Sequence, residues 1–139
     1  MLVRVTDDEG SALRFKSHPE LITHKNALAP EDAHRLANYA RRHGVDLIPV
    51  IESFGHSDYI TKVAKYAHLS DRDPKQRSTG LIPADLQTLR LIEDLYREAA
   101  SIFPALRENL TIHSVYLAHT PRRTAISSRL LAARRLALS

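Results

Sequence analysis

Apolar and polar positions along the chain predict strands that alternate with helices. Residues 2–5 are a short strand candidate, and the turn-forming residues 6–10 follow it. A helix is predicted from Pro30 to the residues before Gly44, with small apolar residues at helical spacing: Ala33, Leu36, Ala37 and Ala40. The apolar run 46–51 predicts a strand buried on both faces, as in a parallel sheet. Residues 11–29 have little periodicity, so a long loop is expected there.

The second half of the chain continues the same alternation. One or two helical turns are expected around 59–66, and the charged residues 70–80 predict a surface loop. A long helix is predicted over 84–103, because its apolar residues recur at helical spacing: Leu89, Ile92, Leu95, Tyr96, Ala99 and Phe103. Residues 110–116 alternate apolar and polar side chains and predict the next strand. This order predicts an α/β fold built from parallel βαβ units.

The residues after the buried strand 46–51 carry the strongest functional signal. Glu52, Ser53, Gly55 and His56 follow it directly. In α/β proteins ligands bind beyond the carboxyl ends of the strands. These side chains are therefore expected to form one wall of an active site.

Composition narrows the chemistry. The 139 residues contain no cysteine, which excludes disulfides and thiolate metal sites. No histidines pair at metal-ligand spacing on a predicted helix, so neither a metal nor another cofactor is expected. There is no apolar run of membrane-spanning length and no signal-peptide pattern at the N-terminus, so no membrane association and a cytoplasmic location are expected by default.

The charge is unevenly distributed. Residues 1–108 hold 15 Lys and Arg against 16 Asp and Glu, whereas residues 109–139 hold five Arg and no acid. A basic tail of this kind suits an acidic partner. We do not expect nucleic acid, because the tail lacks aromatic residues interleaved for base stacking.

Five segments, in order along the chain, resemble family-20 glycoside hydrolases, the β-N-acetylhexosaminidases. They are 6–10 for the turn "HLxDDxG", 16–21 for "kxyPEL", 39–49 for "yAkxrgIevIP", 53–56 for "PGH" with Phe in place of Pro, and 93–104 for "l…ev…lFP". The resemblance implies a TIM (β/α)8 barrel. A whole barrel needs about 250 residues. We therefore expect an incomplete barrel of about three parallel strands and two main helices over 1–108, followed by a divergent Arg-rich tail over 109–139.

The resemblance also implies an activity and site residues. The family hydrolyses terminal β-linked N-acetylhexosamine by substrate-assisted catalysis, so a glycan carrying that sugar is the implied partner. Asp7 matches an aspartate that supports the catalytic centre, and His56 matches a histidine in the hydrogen-bond network of the general acid. Glu52 matches a carboxylate position slightly earlier in the same loop, and it is expected to bind the substrate.

The chain departs from the family where strand four should end in "HIGGDE". Residues 112–119 read IHSVYLAH, and no Asp or Glu follows Glu108. The implied general acid and its partner are therefore missing, and we expect a fragment that is inactive alone. Sixteen of residues 120–139 are Arg, Ala, Leu or Ser, which is typical of GC-rich DNA read out of frame. A truncated or frame-shifted product, whose likeness stops between 104 and 113, is our hypothesis.

Other interpretations stay open. The chain is alternatively a non-catalytic α/β interaction module whose basic tail binds an acidic partner, or a non-functional product that aggregates through unpaired strand edges. At the level of single residues, Asp7 is alternatively a turn-forming residue. His56 is alternatively a loop histidine bonded to a backbone carbonyl, and Glu52 a solvated carboxylate.

Overall fold

The computed structural model describes residues 1–73, 75 and 79–108. Three strands come before the first long helix, and a fourth strand follows it; the elements after that strand are helices, among them a short 3₁₀ helix, Ala64–Leu69. The elements are β1 (Leu2–Arg4), β2 (Ser11–Leu13), β3 (Thr23–Leu28), α1 (Pro30–Arg42), β4 (Ile48–Val50), α2 (Asp58–Thr61), α3 (Leu86–Ile102) and α4 (Pro104–Glu108).

Strands β1 and β4 form a parallel pair, and helix α1 lies between them in the chain. Leu2 is opposite Ile48 and Arg4 is opposite Val50. The backbone N–H of Val5 donates to the Val50 carbonyl at 2.9 Å and extends the ladder by one residue. The predicted βαβ arrangement of these segments is confirmed, and it brings the carboxyl ends of both strands to one edge.

The loop predicted over residues 11–29 is wrong in part. This segment contains β2 and β3, which pair in parallel with an irregular register between Ser11 and Leu13. Strand β2 is only three residues long, and most of β3 is polar and partly exposed. Neither segment has the apolar alternation that marks a strand in sequence, so their pairing depends on backbone hydrogen bonds across the fold.

Helix α1 begins and ends where its sequence predicts. Pro30 opens it, and Gly44 follows the C-cap with φ of 75°, in the left-handed region that glycine favours. Ala33 and Ala37 are buried against the core. Leu36, which was expected on the same face, is 48% exposed, so that expectation is wrong.

Helix α3 is the second long helix and buries its predicted apolar face. Asp85 caps its N-terminus by accepting a hydrogen bond from the Gln87 backbone N–H at 2.7 Å. Leu95 and Ala99 are fully buried. Beyond it, the backbone of Phe103 is extended, and Pro104 begins α4. The core joins this helix to the parallel strand pair.

The strand predicted over 110–116 and the tail over 109–139 lie outside the described residues. The described part contains the first two predicted parallel strands and both main helices. Among its helices, none has the length and apolar character needed to cross a membrane.

Candidate functional site

A polar cleft lies at the carboxyl ends of β1 and β4. Its volume is about 330 Å³, and its lining is almost entirely charged: Arg4, Asp7, Asp8, Glu9, Glu52 and His56. The lining comes from the end of β1, the turn that follows it and the loop after β4. The parallel pairing of the two strands is what brings these segments together.

His56 and Asp8 form an imidazole–carboxylate pair in this cleft. The His56 Nδ1 lies 3.0 Å from Oδ2 and 3.1 Å from Oδ1 of Asp8. Since a carboxylate accepts hydrogen bonds, Nδ1 carries the proton, which fixes the tautomer of the neutral ring. The hydrogen bond to Asp8 raises the pKa of His56 above its ordinary value, and the charge of Glu52 adds to this. The cleft therefore favours a protonated imidazole.

The backbone of His56 is held in an uncommon conformation. Its φ is 53°, in the left-handed region, and among the described residues no other non-glycine residue has a positive φ. Such a conformation costs about 1–2 kcal/mol. The neighbouring Ser57 fixes the loop, because its hydroxyl donates to the Ser53 carbonyl at 2.8 Å and its N–H donates to the Thr79 carbonyl at 2.9 Å. The loop is thus fixed with the imidazole in the cleft.

Asp7 lines the same cleft but has different partners. Its Oδ1 accepts from the backbone N–H groups of Glu9 at 2.9 Å and Gly10 at 3.0 Å. The ring nitrogen Nε2 of His24 lies 3.0 Å from Oδ2. Burial raises the pKa of Asp7, but the two N–H donors and His24 outweigh it, and the net pKa is lowered. Asp7 is therefore an ionised, turn-forming residue beside the cleft.

Asp8 is the carboxylate that sequence reasoning missed. Two adjacent aspartates follow β1, and the turn sends Asp7 towards His24 and Asp8 towards His56. A local motif cannot distinguish the two, because both are compatible with the same turn pattern. A signal was nevertheless present, since adjacent side chains at a strand end commonly point in opposite directions.

Glu52 is held at the back of the cleft. Its backbone N–H donates to Thr6 Oγ1 at 2.7 Å, and its carbonyl accepts from the buried Tyr59 hydroxyl at 2.7 Å. Its carboxylate lies 3.8 Å from the Arg4 guanidinium, and its side chain is 18% exposed. Glu52 is thus a fixed, partly buried carboxylate, and Arg4 is a further cleft residue that the sequence did not single out.

Within residues 1–73, 75 and 79–108, no group of three or more His, Asp or Glu side chains is arranged so that it could hold a metal ion. Two imidazole–carboxylate pairs lie next to each other, His24 with Asp7 and His56 with Asp8, and they share no carboxylate. The chemistry available in the cleft is that of carboxylate acceptors, one guanidinium and one histidine that favours its protonated form.

Parallel strands with charged side chains gathered beyond their carboxyl ends are the arrangement found in TIM-barrel enzymes. The chain belongs to glycosyl hydrolase family 20, whose catalytic-domain model matches residues 2–114. Hexosaminidase D of Bos taurus is 24% identical over 93 residues, which are 67% of this chain and 26% of that protein.

Solved structures share the fold. The chitobiase of Flavobacterium johnsoniae superposes with a TM-score of 0.65 at 22% identity, over 74% of this chain and 17% of that one. The family 20 β-N-acetylhexosaminidase of Streptomyces coelicolor A3(2) gives 0.60 at 20% identity, over 74% and 24%. A mutant β-hexosaminidase of Streptomyces plicatus, in complex with product (GlcNAc), gives 0.61 at 17% identity, over 74% and 24%.

The comparisons confirm the family resemblance, and they do not favour the interaction module. The chain spans about a quarter or less of the length of these relatives. The family match ends at residue 114, just beyond the range of 104 to 113 in which the likeness was expected to stop.

Proposed function

We propose that the cleft binds the terminal N-acetylhexosamine of a β-linked glycan, as one wall of a family 20 glycosidase site. The observation that carries the proposal is the Asp8–His56 pair, with His56 Nδ1 3.0 Å from the carboxylate at the carboxyl ends of two parallel strands. The Streptomyces plicatus relative, which holds GlcNAc, supports the choice of sugar.

Each cleft residue has a role in this proposal. Asp8 orients the imidazole of His56 and stabilises its protonated form, as a carboxylate does for a paired histidine. His56 then presents a positive group that lowers the cost of negative charge nearby; its position matches that of the family histidine that lies beside the general acid, a group without a counterpart in this chain. Glu52 accepts hydrogen bonds from sugar hydroxyls, and Asp7 supports the centre by holding the turn.

We further propose that residues 1–108 are a partial barrel segment which does not hydrolyse glycans by itself. No Asp or Glu follows Glu108 in the sequence, so the Asp–Glu pair that the family resemblance implies at strand four has no counterpart. A general acid contributes about 10²–10⁴-fold to a rate. Residues 109–139 are, in this proposal, a divergent tail encoded out of frame.

Sugar binding is tested by NMR titration of the 139-residue chain with N-acetylglucosamine, and with glucose as the ligand that lacks the acetamido group. We expect shifts at the backbone amides of Asp8, Glu52 and His56 with the first sugar and weaker ones with glucose. His56→Ala should abolish them, while His68→Ala, on the 3₁₀ helix, should leave them unchanged. Absence of any shift at these amides would refute sugar binding in the cleft.

Inactivity is tested with a chromogenic N-acetylglucosaminide. We expect turnover at background. Turnover above background that disappears in His56→Ala would contradict the proposed loss of activity. The coding DNA tests the tail: we expect another reading frame, downstream of codon 104, to encode a Gly-Asp-Glu strand, and its absence refutes the frame-shift.

A further inference from the structure

The turn that carries Asp8 is anchored on strand β3. The Asp7 N–H donates to the Gly10 carbonyl at 3.0 Å, and the Asp7 carboxylate accepts from the N–H groups of Glu9 and Gly10. Gly10 packs directly against the β3 backbone: a Cβ added to it would lie only 3.2 Å from the backbone nitrogen of His24. The turn is therefore compact and rests against the segment that carries His24.

His24 holds the turn from its outer side. Its Nε2 lies 3.1 Å from Oδ1 and 3.0 Å from Oδ2 of Asp7, so one ring N–H is shared by both carboxylate oxygens. The side chains are 37% and 41% exposed, which leaves the contact accessible to water. One atom, Oδ1 of Asp7, therefore accepts hydrogen bonds from both the turn N–H groups and the His24 ring.

We propose that His24 is a positioning residue: it holds the 7–10 turn through Asp7 and so keeps Asp8 against His56. The physical path is short, because Asp7 and Asp8 are adjacent in the chain and the turn directs them to opposite imidazoles. If the His24 contact is lost, only the two turn N–H groups hold the Asp7 carboxylate, and the geometry of the turn and of Asp8 loosens. The relevance of this positioning to sugar chemistry rests on the proposed function, but the coupling itself does not.

The charged groups around His56 come from two strand ends. Asp8, Asp7, Glu9 and Arg4 come from β1 and its turn, and Glu52 comes from the loop after β4. Of these, Asp8 has the largest influence on the protonation of His56. A displacement of Asp8 should therefore change the pKa of His56, which can be measured directly.

The experiment is an NMR titration of His56 in the full chain. Asp8→Asn is the reference variant: it removes the carboxylate and should lower the His56 pKa, and the other variants are compared with this decrease. We expect His24→Ala to lower that pKa by at least half as much, and His24→Gln, whose amide donates to Asp7, to restore it. His43→Ala removes an exposed imidazole at the C-cap of α1 and should leave the His56 pKa unchanged.

His24→Leu provides a second variant should His24→Ala fail to fold. Its side chain is close in size to the imidazole but cannot donate to Asp7, and all the carboxylates around His56 are kept, so the His56 pKa should fall. A merely structural role would lower the free energy of unfolding without moving the His56 pKa. An unchanged His56 pKa in the folded variant, His24→Ala or His24→Leu, overturns the proposal. Failure of N-acetylglucosamine to bind the wild type refutes the proposed function instead, and leaves this coupling intact.

Discussion

His56 Nδ1 lies 3.0 Å from the carboxylate of Asp8, although 48 residues separate them in the chain. The hydrogen bond raises the pKa of His56, so it stabilises the fold in the protonated state of the ring. This contribution is fully present below the unfolded histidine pKa, which is about 6.5, and is lost as the pH rises through the folded pKa.

The first prediction concerns this pH dependence. Asp8→Asn should lower the free energy of unfolding more at about pH 5.5 than at about pH 9, because only the protonated imidazole gains from the charge of Asp8. Urea unfolding of both proteins at the two pH values measures it. An equal or larger loss at the higher pH would show that the pair does not stabilise the protonated histidine.

The second prediction concerns Asp58, which ties the loop after the 3₁₀ helix to α2. Its side chain is 5% exposed, pairs with Lys62 at 2.6 Å, and accepts from the Thr79 backbone N–H at 2.7 Å. Asp58→Ala should lower the free energy of unfolding by about 2–3 kcal/mol, because the buried Thr79 donors lose their acceptor.

Two variants serve as controls for Asp58. Asp58→Asn keeps an oxygen that accepts from Thr79 and should lose less. Asp32→Ala removes an exposed carboxylate paired with Arg35, and surface pairs contribute about 0–1 kcal/mol. Chemical denaturation measures all three. If Asp58→Ala and Asp32→Ala were equally stable, Asp58 would not anchor the loop.

The third prediction concerns the close packing of Gly80 under the His56 loop. A Cβ at Gly80 would lie 2.5 Å from the Phe54 carbonyl oxygen and 2.8 Å from Asp71 Oδ2, so the backbone has to shift. Gly80→Ala should lower the free energy of unfolding by about 1–3 kcal/mol, the usual range for overpacking. It should also move the backbone amide signals of Phe54 and Gly55.

Gly55→Ala is the matched comparison, because a Cβ at Gly55 meets no other atom within 4 Å. We expect its melting temperature to stay close to that of the wild type. Thermal unfolding of the two variants distinguishes a steric clash of the new Cβ at position 80 from a general effect of replacing glycine in this region. A Gly80→Ala protein as stable as Gly55→Ala contradicts the prediction.

The fourth prediction concerns acid stability. Glu20 accepts from Lys65 and from the Tyr66 hydroxyl, and these contacts lower its pKa from 4.5 to about 2. A lowered carboxyl pKa stabilises the fold above the unfolded value and loses that effect as the pH falls through the folded one. The Glu20 contribution should therefore disappear between about pH 4.5 and 2.

Glu20→Gln tests this assignment. It should lower the free energy of unfolding by about 1 kcal/mol near neutral pH, a value discounted for the partial exposure of the pair. Close to pH 2 the variant and the wild type should converge. Denaturation curves across the acid range measure the difference, and a gap that persists at low pH would assign the effect to packing instead of charge.

Local chemistry was sufficient for some elements and not for others. Pro30 marks the start of α1 and Gly44 lies just beyond its end, and the apolar run around Ile48 forms the predicted strand. Helix-terminating residues and short apolar runs both act within a few residues, so the sequence was enough to predict these elements. Leu36 was misplaced because helical spacing gives the width of an apolar face, whereas neighbouring elements decide how much of it they cover.

The sequence by itself determined the two main helices, the parallel strand pair and the resemblance to family 20. Each follows from periodicity, helix caps or motif order, which are local properties. Only the tertiary structure decided that β2 pairs with β3, that Asp8 and not Asp7 meets His56, and that His24 holds Asp7. These relationships join residues far apart in sequence, and their geometry depends on how the turn after β1 packs against β3 and faces the loop after β4.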